Sequence, residues 1–201
     1  MKVAILQSNY IPWKGYFDLM NQADVFVLYD SAQFTSQDWR NRNRIKTPQG
    51  LQWLTIPVRR HRLGQSIAET QSDGGHWRKK HWRTLEQAYR KAPFFEQYRD
   101  SLRDLYLESS TGPLSLVNHE FLSAIQNWLN IETPLMWDHE FELIDGKTER
   151  LVHICQQLNA TAYLSGPAAE SYLEVNKFTK VEIEVEWMNY GQYPTYEQVH
   201  A

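Results

Sequence analysis

The feature that most constrains the fold is the abrupt break after the first apolar run. Val3-Ala4-Ile5-Leu6 gives way to Gln7-Ser8-Asn9-Tyr10-Ile11-Pro12-Trp13-Lys14-Gly15, a stretch of polar side chains interrupted by a proline and closed by a glycine. Tyr16, Phe17, Leu19 and Met20 then recur with helical spacing, and a second apolar run, Val25-Phe26-Val27-Leu28, ends at Asp30. Strand, loop, helix, strand is the opening of a parallel α/β sheet, since parallel neighbours need a crossover between them. Ligands of such sheets bind beyond the carboxyl ends of the strands. A pocket is therefore expected where Gln7, Asn9, Trp13, Gly15 and Tyr16 leave the first strand and where Asp30 and Gln33 leave the second.

The same alternation returns near the C-terminus. Pro134-Leu135-Met136-Trp137 reads as a short strand, and Lys147 to Leu158 as a helix with Asp145 or Gly146 near its N-cap. Thr161-Ala162-Tyr163-Leu164-Ser165-Gly166 is a strand ending in a turn, Ala168 to Leu173 a short helix, and Val181 to Trp187 alternates with period 2. Ser165 and Gly166 repeat the strand-to-helix logic of the N-terminus, where backbone donors can hold an anion. An ordinary turn is the competing reading for that pair. Glu170 follows one helical turn later.

Between these halves the pattern differs. Ser31 to Gly50 is irregular and closes in the turn signal Thr47-Pro48-Gln49-Gly50. Gln52 to Val58 alternates like a strand, with Pro57 suited to an edge or an end. From His76 to Asn130 helical spacing dominates, broken at Pro93 and at Thr111-Gly112-Pro113, and Leu116, Phe121, Leu122, Ile125 and Leu129 are expected to face inward. So long a helical block exceeds a single crossover and reads as an insertion over about residues 76–130. The expected architecture is one α/β domain over residues 1–201, with about five parallel strands in a Rossmann-like sheet.

Charge is distributed unevenly. The net charge of -3 conceals a basic middle and an acidic C-terminal part. In Asp38-Trp39-Arg40-Asn41-Arg42-Asn43-Arg44, three arginines two apart would project to one side of an extended segment. Their forked guanidiniums suit phosphate or carboxylate oxygens. Mutual compensation between basic and acidic segments is the competing reading. Basic residues interleaved with Trp39, Trp53, Trp77 and Trp82 would also suit stacked RNA bases, although the chain is acidic overall. His76 and His81 lack the spacing and third ligand of a zinc site, so no metal is expected, and His81 reads as a hydrogen-bonding group of the pocket or a cap.

Composition narrows the classes further. The single cysteine, Cys155, excludes an internal disulfide and sits among Leu151, Val152, Ile154 and Leu158 as a small core residue. No signal-peptide pattern precedes the first strand, and no apolar run approaches the ~20 residues of a membrane span, so the cytoplasm is expected. No Walker loop, GxGxxG or Ser/His/Asp signature is present.

Gln7 to Asp18, Asp38 to Lys46 with Trp53 to Val58, Lys91-Ala92-Pro93-Phe94-Phe95 and Tyr163 to Gly166 together resemble the WbqC-like family of bacterial proteins. The resemblance implies a place among genes for O-antigen, other surface-polysaccharide or secondary-metabolite biosynthesis, and the transfer of glycine or another acyl group to an amino sugar. Two departures stand out: Ser8 replaces a usual proline, and members usually run on beyond Tyr190-Gly191-Gln192-Tyr193-Pro194, whereas this chain stops at Ala201. At fold level the N-terminus is similar to HIGH-type nucleotidyltransferases, pantothenate synthetase among them. Gly15-Tyr16 stands where their Gly-His would, and Gln33-Phe34 matches a Gln-Phe after the second strand.

Two functional classes follow. One is a transferase of acyl, aminoacyl (for example glycyl) or nucleotidyl groups acting on a small anionic metabolite or nucleotide-linked substrate. In it Gln7, Asn9, Trp13, Gly15, Tyr16, Gln33, Arg40, Asn41, Arg42, His81, Ser165 and Gly166 bind, and Asp30 or Glu170 is the general base. The other is a non-catalytic accessory protein that binds a small molecule or RNA. The first is favoured, because polar residues converging from separate segments imply a site-specific task.

Overall fold

The computed structural model describes residues 1–59, 62–191 and 193–200; Arg60 and His61 of the basic loop, with Gln192 and Ala201, lie outside the described residues. In chain order the elements are β1 (Lys2–Leu6), α1 (Lys14–Gln22), β2 (Val25–Leu28), β3 (Arg42–Thr47), β4 (Gly50–Thr55), β5 (Val58–Arg59), β6 (Gln71–Ser72), α2 (His76–Tyr89), α3 (Phe95–Glu108) and α4 (Leu114–Trp128). They continue with β7 (Leu135–Trp137), α5 (Lys147–Gln157), β8 (Ala162–Ser165), α6 (Val175–Thr179) and β9 (Glu184–Trp187). Contacts divide the chain into two compact units: Met1–Gln7, Trp13–Ala32 and Gln126–Tyr193 form the first, and Ser8–Pro12, Gln33–Ile125 and Pro194–Ala201 the second.

The first unit holds a five-stranded sheet in the order β7-β2-β1-β8-β9, with every neighbouring pair parallel. Val3, Ala4, Phe26, Val27 and Leu28 are inaccessible to solvent, as strands covered on both faces require. Register runs Val3↔Val25 on one side of β1 and Lys2↔Ala162 on the other. Val152, Ile154 and Cys155 of α5 pack with Tyr163 and Phe178, whose rings stack at 4.8 Å. Gly146, at φ +98°, starts α5 in a backbone conformation that other residues rarely adopt. The α/β fold with a parallel five-stranded sheet thus matches the sequence expectation.

The second unit differs from its expected description in several respects. Residues 42–47, read as irregular, form β3 and pair antiparallel with β4 in a hairpin turning at Thr47–Gly50. The side chains alternate, but both faces are mostly polar, so no hydrophobic pattern announces the strand. Partner hydrogen bonding and the burial of Leu54 decide it. A second hairpin joins β5 and β6, and α2, α3 and α4 pack with these hairpins around Phe34, Ile56, Trp82, Leu85, Phe121 and Tyr106. Leu116 and Leu129, expected inward, are exposed. The buried face of α4 is set instead by Leu114, Val117, Asn118, Phe121 and Leu122.

Candidate functional site

In the first unit the strand order reverses between β1 and β8, because the chain lays β2 and β7 on one side of β1 and then β8 and β9 on the other. A doubly wound sheet opens its crevice at that point. Gln7 follows β1 there, Ser165 ends β8 fully buried, and Gly166 starts the short 3-10 helix Pro167–Ser171 that carries exposed Glu170. The Tyr16 hydroxyl donates to the Gln7 carbonyl at 3.1 Å, fixing the turn between β1 and α1.

An aromatic patch stands beside this edge. Trp13, at the N-cap of α1, is 53% exposed and meets Tyr190 edge-on at 4.9 Å and Tyr193 at 6.1 Å. Tyr190 also lies 3.4 Å from where a Cβ on Gly166 would stand, so one ring touches both the α1 end and the β8 end. Gly15 is required for the same packing: any Cβ there would clash with the Trp13 indole. The Tyr193 hydroxyl donates to Asp18 at 2.5 Å, and the Lys14 ammonium lies 4.7 Å over the Tyr193 ring. Burial, reinforced by the hydrogen-bonded Asp18 carboxylate, raises the pKa of Tyr193, so its phenol stays protonated.

Asp30 follows β2 with no solvent-exposed surface. Asp138, after the adjacent strand β7, is equally buried and accepts the Ser31 backbone N–H at 2.9 Å. Sequence reading missed Asp138, Tyr190 and Tyr193. Tyr190 and Tyr193 lie in the Tyr-Gly-Gln-Tyr-Pro segment, whose aromatic content was the available signal.

The remaining site candidates, Asn9, Gln33, Arg40, Asn41, Arg42 and His81, belong to the second unit. Arg40 Nη1 donates to Asn9 Oδ1 at 2.5 Å, and buried Asn41 donates to the Ile56 carbonyl at 2.9 Å. Gln33 is exposed and bridges Ser66. Burial opposes ionisation of Asp38, but hydrogen bonds from the Thr35 hydroxyl and the Trp39 N–H, with Arg40 and Arg42 nearby, hold its carboxyl below the usual range. Arg42 stacks 4.0 Å over Trp53, and Arg44 lies 5.3 Å from Trp53 and 5.8 Å from Trp39. Both tryptophans are 42% exposed, so the hairpin presents interleaved cations and rings.

His81 is set deeper. Tyr10 OH lies 3.0 Å from His81 Nδ1 and 2.5 Å from Tyr106 OH. Burial drives the His81 pKa down to about 4, against a hydrogen bond with the Thr55 backbone that raises it. A bond that favours protonation has the ring nitrogen donating to the Thr55 carbonyl, so Nδ1 is left to accept from Tyr10. His81 is accordingly a neutral imidazole at physiological pH.

Fold and site define a doubly wound parallel α/β protein with polar and aromatic side chains at its switch point. The chain belongs to the WbqC-like protein family, whose profile it matches over residues 7–201. It is 51% identical over 199 residues to the uncharacterized protein Rv1507c of Mycobacterium tuberculosis (strain ATCC 25618 / H37Rv), an alignment covering 98% of this chain and 86% of that protein. No solved structure matches it. Among the described residues no helix is long and apolar enough to cross a membrane, and no three His, Cys, Asp or Glu side chains gather into a metal-binding group.

Proposed function

We propose that the first unit binds a small anionic or nucleotide-linked metabolite at the carboxyl edge between β1 and β8 and transfers an acyl, aminoacyl or nucleotidyl group in surface-polysaccharide or secondary-metabolite assembly. The observation that carries this reading is the reversal of strand order at β1 and β8, with Gln7, Ser165 and Gly166 at the two strand ends. Exposed Trp13 and half-buried Tyr190 supply an aromatic wall beside them. In this reading Gln7 orients the ligand and Trp13 covers its flat or ring portion. Glu170 is a better general base than Asp30, because it is exposed whereas Asp30 has no accessible surface.

The test is thermal stabilisation by nucleotide sugars, ATP, CTP, acyl-CoA and glycine, measured on wild type, Gln7→Ala and Trp13→Ala. Stabilisation by one of these compounds that disappears in both variants supports the reading. Equal stabilisation of all three proteins would place the ligand elsewhere and defeat it. A second reading, binding of single-stranded RNA, is favoured by one observation: Trp39 and Trp53 with Arg42 and Arg44 on the exposed hairpin. Short RNA as the sole stabiliser, with a steep salt dependence and loss in Trp53→Ala, would select it instead.

A further inference from the structure

Residues 196–200 lie against the end of α2 in the second unit. His200 ties them there: its Nε2 donates to the Ala88 carbonyl at 2.7 Å, and its ring lies 6.2 Å from Tyr89. They close one side of a cavity of about 390 Å³, a volume that suits a small metabolite. Tyr89 lines it from α2, Phe94 and Tyr98 from around the start of α3, Lys46 from β3, and Tyr196 and His200 from the C-terminal segment. The Lys91-Ala92-Pro93-Phe94-Phe95 motif runs through this place, and its last four residues all face the cavity.

The walls combine open rings with unused donors. Phe94 is 70% exposed and Tyr196 68%, so two large rings stand open at one cavity rather than scattered singly over the surface. Lys46 is half-buried and takes part in none of the described ion pairs. Glu197 also lines the cavity, but it is exposed and does not pair with Lys46. An ammonium partly withdrawn from water beside apolar walls concentrates its field in the cavity and attracts an anion. The Tyr89 hydroxyl accepts the Lys46 backbone N–H at 3.2 Å, and no described residue accepts its own proton. Burial raises the pKa of Tyr89, so that proton remains a donor at neutral pH.

We propose that this cavity binds a small aromatic carboxylate, whose ring packs on Phe94 and Tyr196 and whose carboxylate meets Lys46 and the Tyr89 hydroxyl. Several rings around one void favour a flat aromatic ligand over an aliphatic one, because edge-on and offset ring pairs gain more than the area they bury. Two donors less exposed than Glu197 favour a carboxylate over a cation. An aromatic cage for an ammonium ligand would instead place a carboxylate, and no lysine, among its rings.

The experiment is calorimetric titration of the full chain with 2-naphthoate, its uncharged analogue 2-naphthamide, cyclohexanecarboxylate and phenyltrimethylammonium. It uses wild type, Lys46→Gln and Phe94→Ala, each checked for native circular dichroism and Tm. Wild type should bind 2-naphthoate about tenfold or more tightly than 2-naphthamide, the margin of a charge-assisted hydrogen bond. Lys46→Gln should abolish that margin while leaving 2-naphthamide binding unchanged. Phe94→Ala should weaken both naphthyl compounds by about fivefold or more; Phe94 is exposed, so its variant tests the site free of any folding defect. Cyclohexanecarboxylate should bind more weakly than 2-naphthoate. Absence of 2-naphthoate binding to wild type at millimolar concentration, or equal 2-naphthoate binding by wild type and Lys46→Gln, overturns the proposal. Tighter binding of phenyltrimethylammonium than of 2-naphthoate overturns it in favour of a cation site.

Discussion

Tyr10 OH and His81 Nδ1 lie 3.0 Å apart in the buried centre of the second unit, although 71 residues separate them in sequence. Tyr106 extends the chain of hydroxyls, and all three side chains are almost wholly buried. Burial also raises the pKa of Tyr10, so this array carries no charge at neutral pH. Protonating His81 would place a cation in that interior. Its folded-state pKa of about 4 lies below the ordinary 6.5, so the unfolded chain takes up the proton first as pH falls. Stability from this group is therefore complete above about pH 6.5 and is lost progressively as pH drops toward 4, by on the order of 3 kcal/mol. Urea unfolding of wild type and His81→Phe at pH 7.5 and pH 4.5 measures it. The wild type should lose more stability between the two than the variant, and parallel losses would show that His81 does not titrate as described.

Asn118 binds two segments at once, its amide donating to Ser8 Oγ at 3.0 Å and to the Arg40 carbonyl at 2.9 Å, with no exposed surface. Asn118→Ala removes a buried donor from both acceptors and should cost about 1–3 kcal/mol of unfolding free energy. The denaturation midpoint should fall while the m value stays constant. A loss under about 0.5 kcal/mol would mean that these contacts are dispensable.

Gly15 carries the indole of Trp13 against its bare Cα. In Gly15→Ala the half-exposed indole must swing away from the helix, while the first turn of α1 gains at most about 1 kcal/mol, the alanine preference of a helix interior. Net stability should change by no more than about 1 kcal/mol, yet Trp13 should leave Tyr190 and Tyr193. The indole N–H resonance assigned by Trp13→Phe reports this directly, and an unmoved resonance in Gly15→Ala would refute it.

Cys155 is fully buried among α5 and β8 side chains, and burial pushes its thiol up to about 12. The folded protein should not react with a thiol-exchange chromophore at pH 8 on a timescale of minutes, and one equivalent should react in guanidinium chloride. Rapid labelling of the folded protein would show that the α5 packing opens readily.

Local pattern was enough for the elements whose hydrophobic spacing is self-contained. Lys14–Gln22, Phe95–Glu108, Lys147–Gln157 and the apolar runs at Val3 and Val25 were all legible, because each signals its buried face within one or two turns of chain. The Trp13 end of the switch point was legible for the same reason, since a polar break after an apolar run falls at a strand's carboxyl end.

Residues 42–47 were not legible as a strand, because Arg42, Arg44 and Lys46 take one face and Asn43 and Thr47 flank Ile45, the single apolar residue, on the other. Only pairing with β4 gives those backbone groups their partners. Leu116 and Leu129 failed in the opposite sense: they are apolar, but α4 turns another face to its neighbours. By itself, then, the sequence determined where the chain could be strand or helix and where a parallel sheet must end in polar loops, because those choices depend on neighbours a few residues apart. The tertiary structure alone decided that Tyr10, His81 and Tyr106 share a hydrogen-bonded interior and that Arg78 is buried without a counter-ion, because burial and partnership depend on packing between segments distant in the chain.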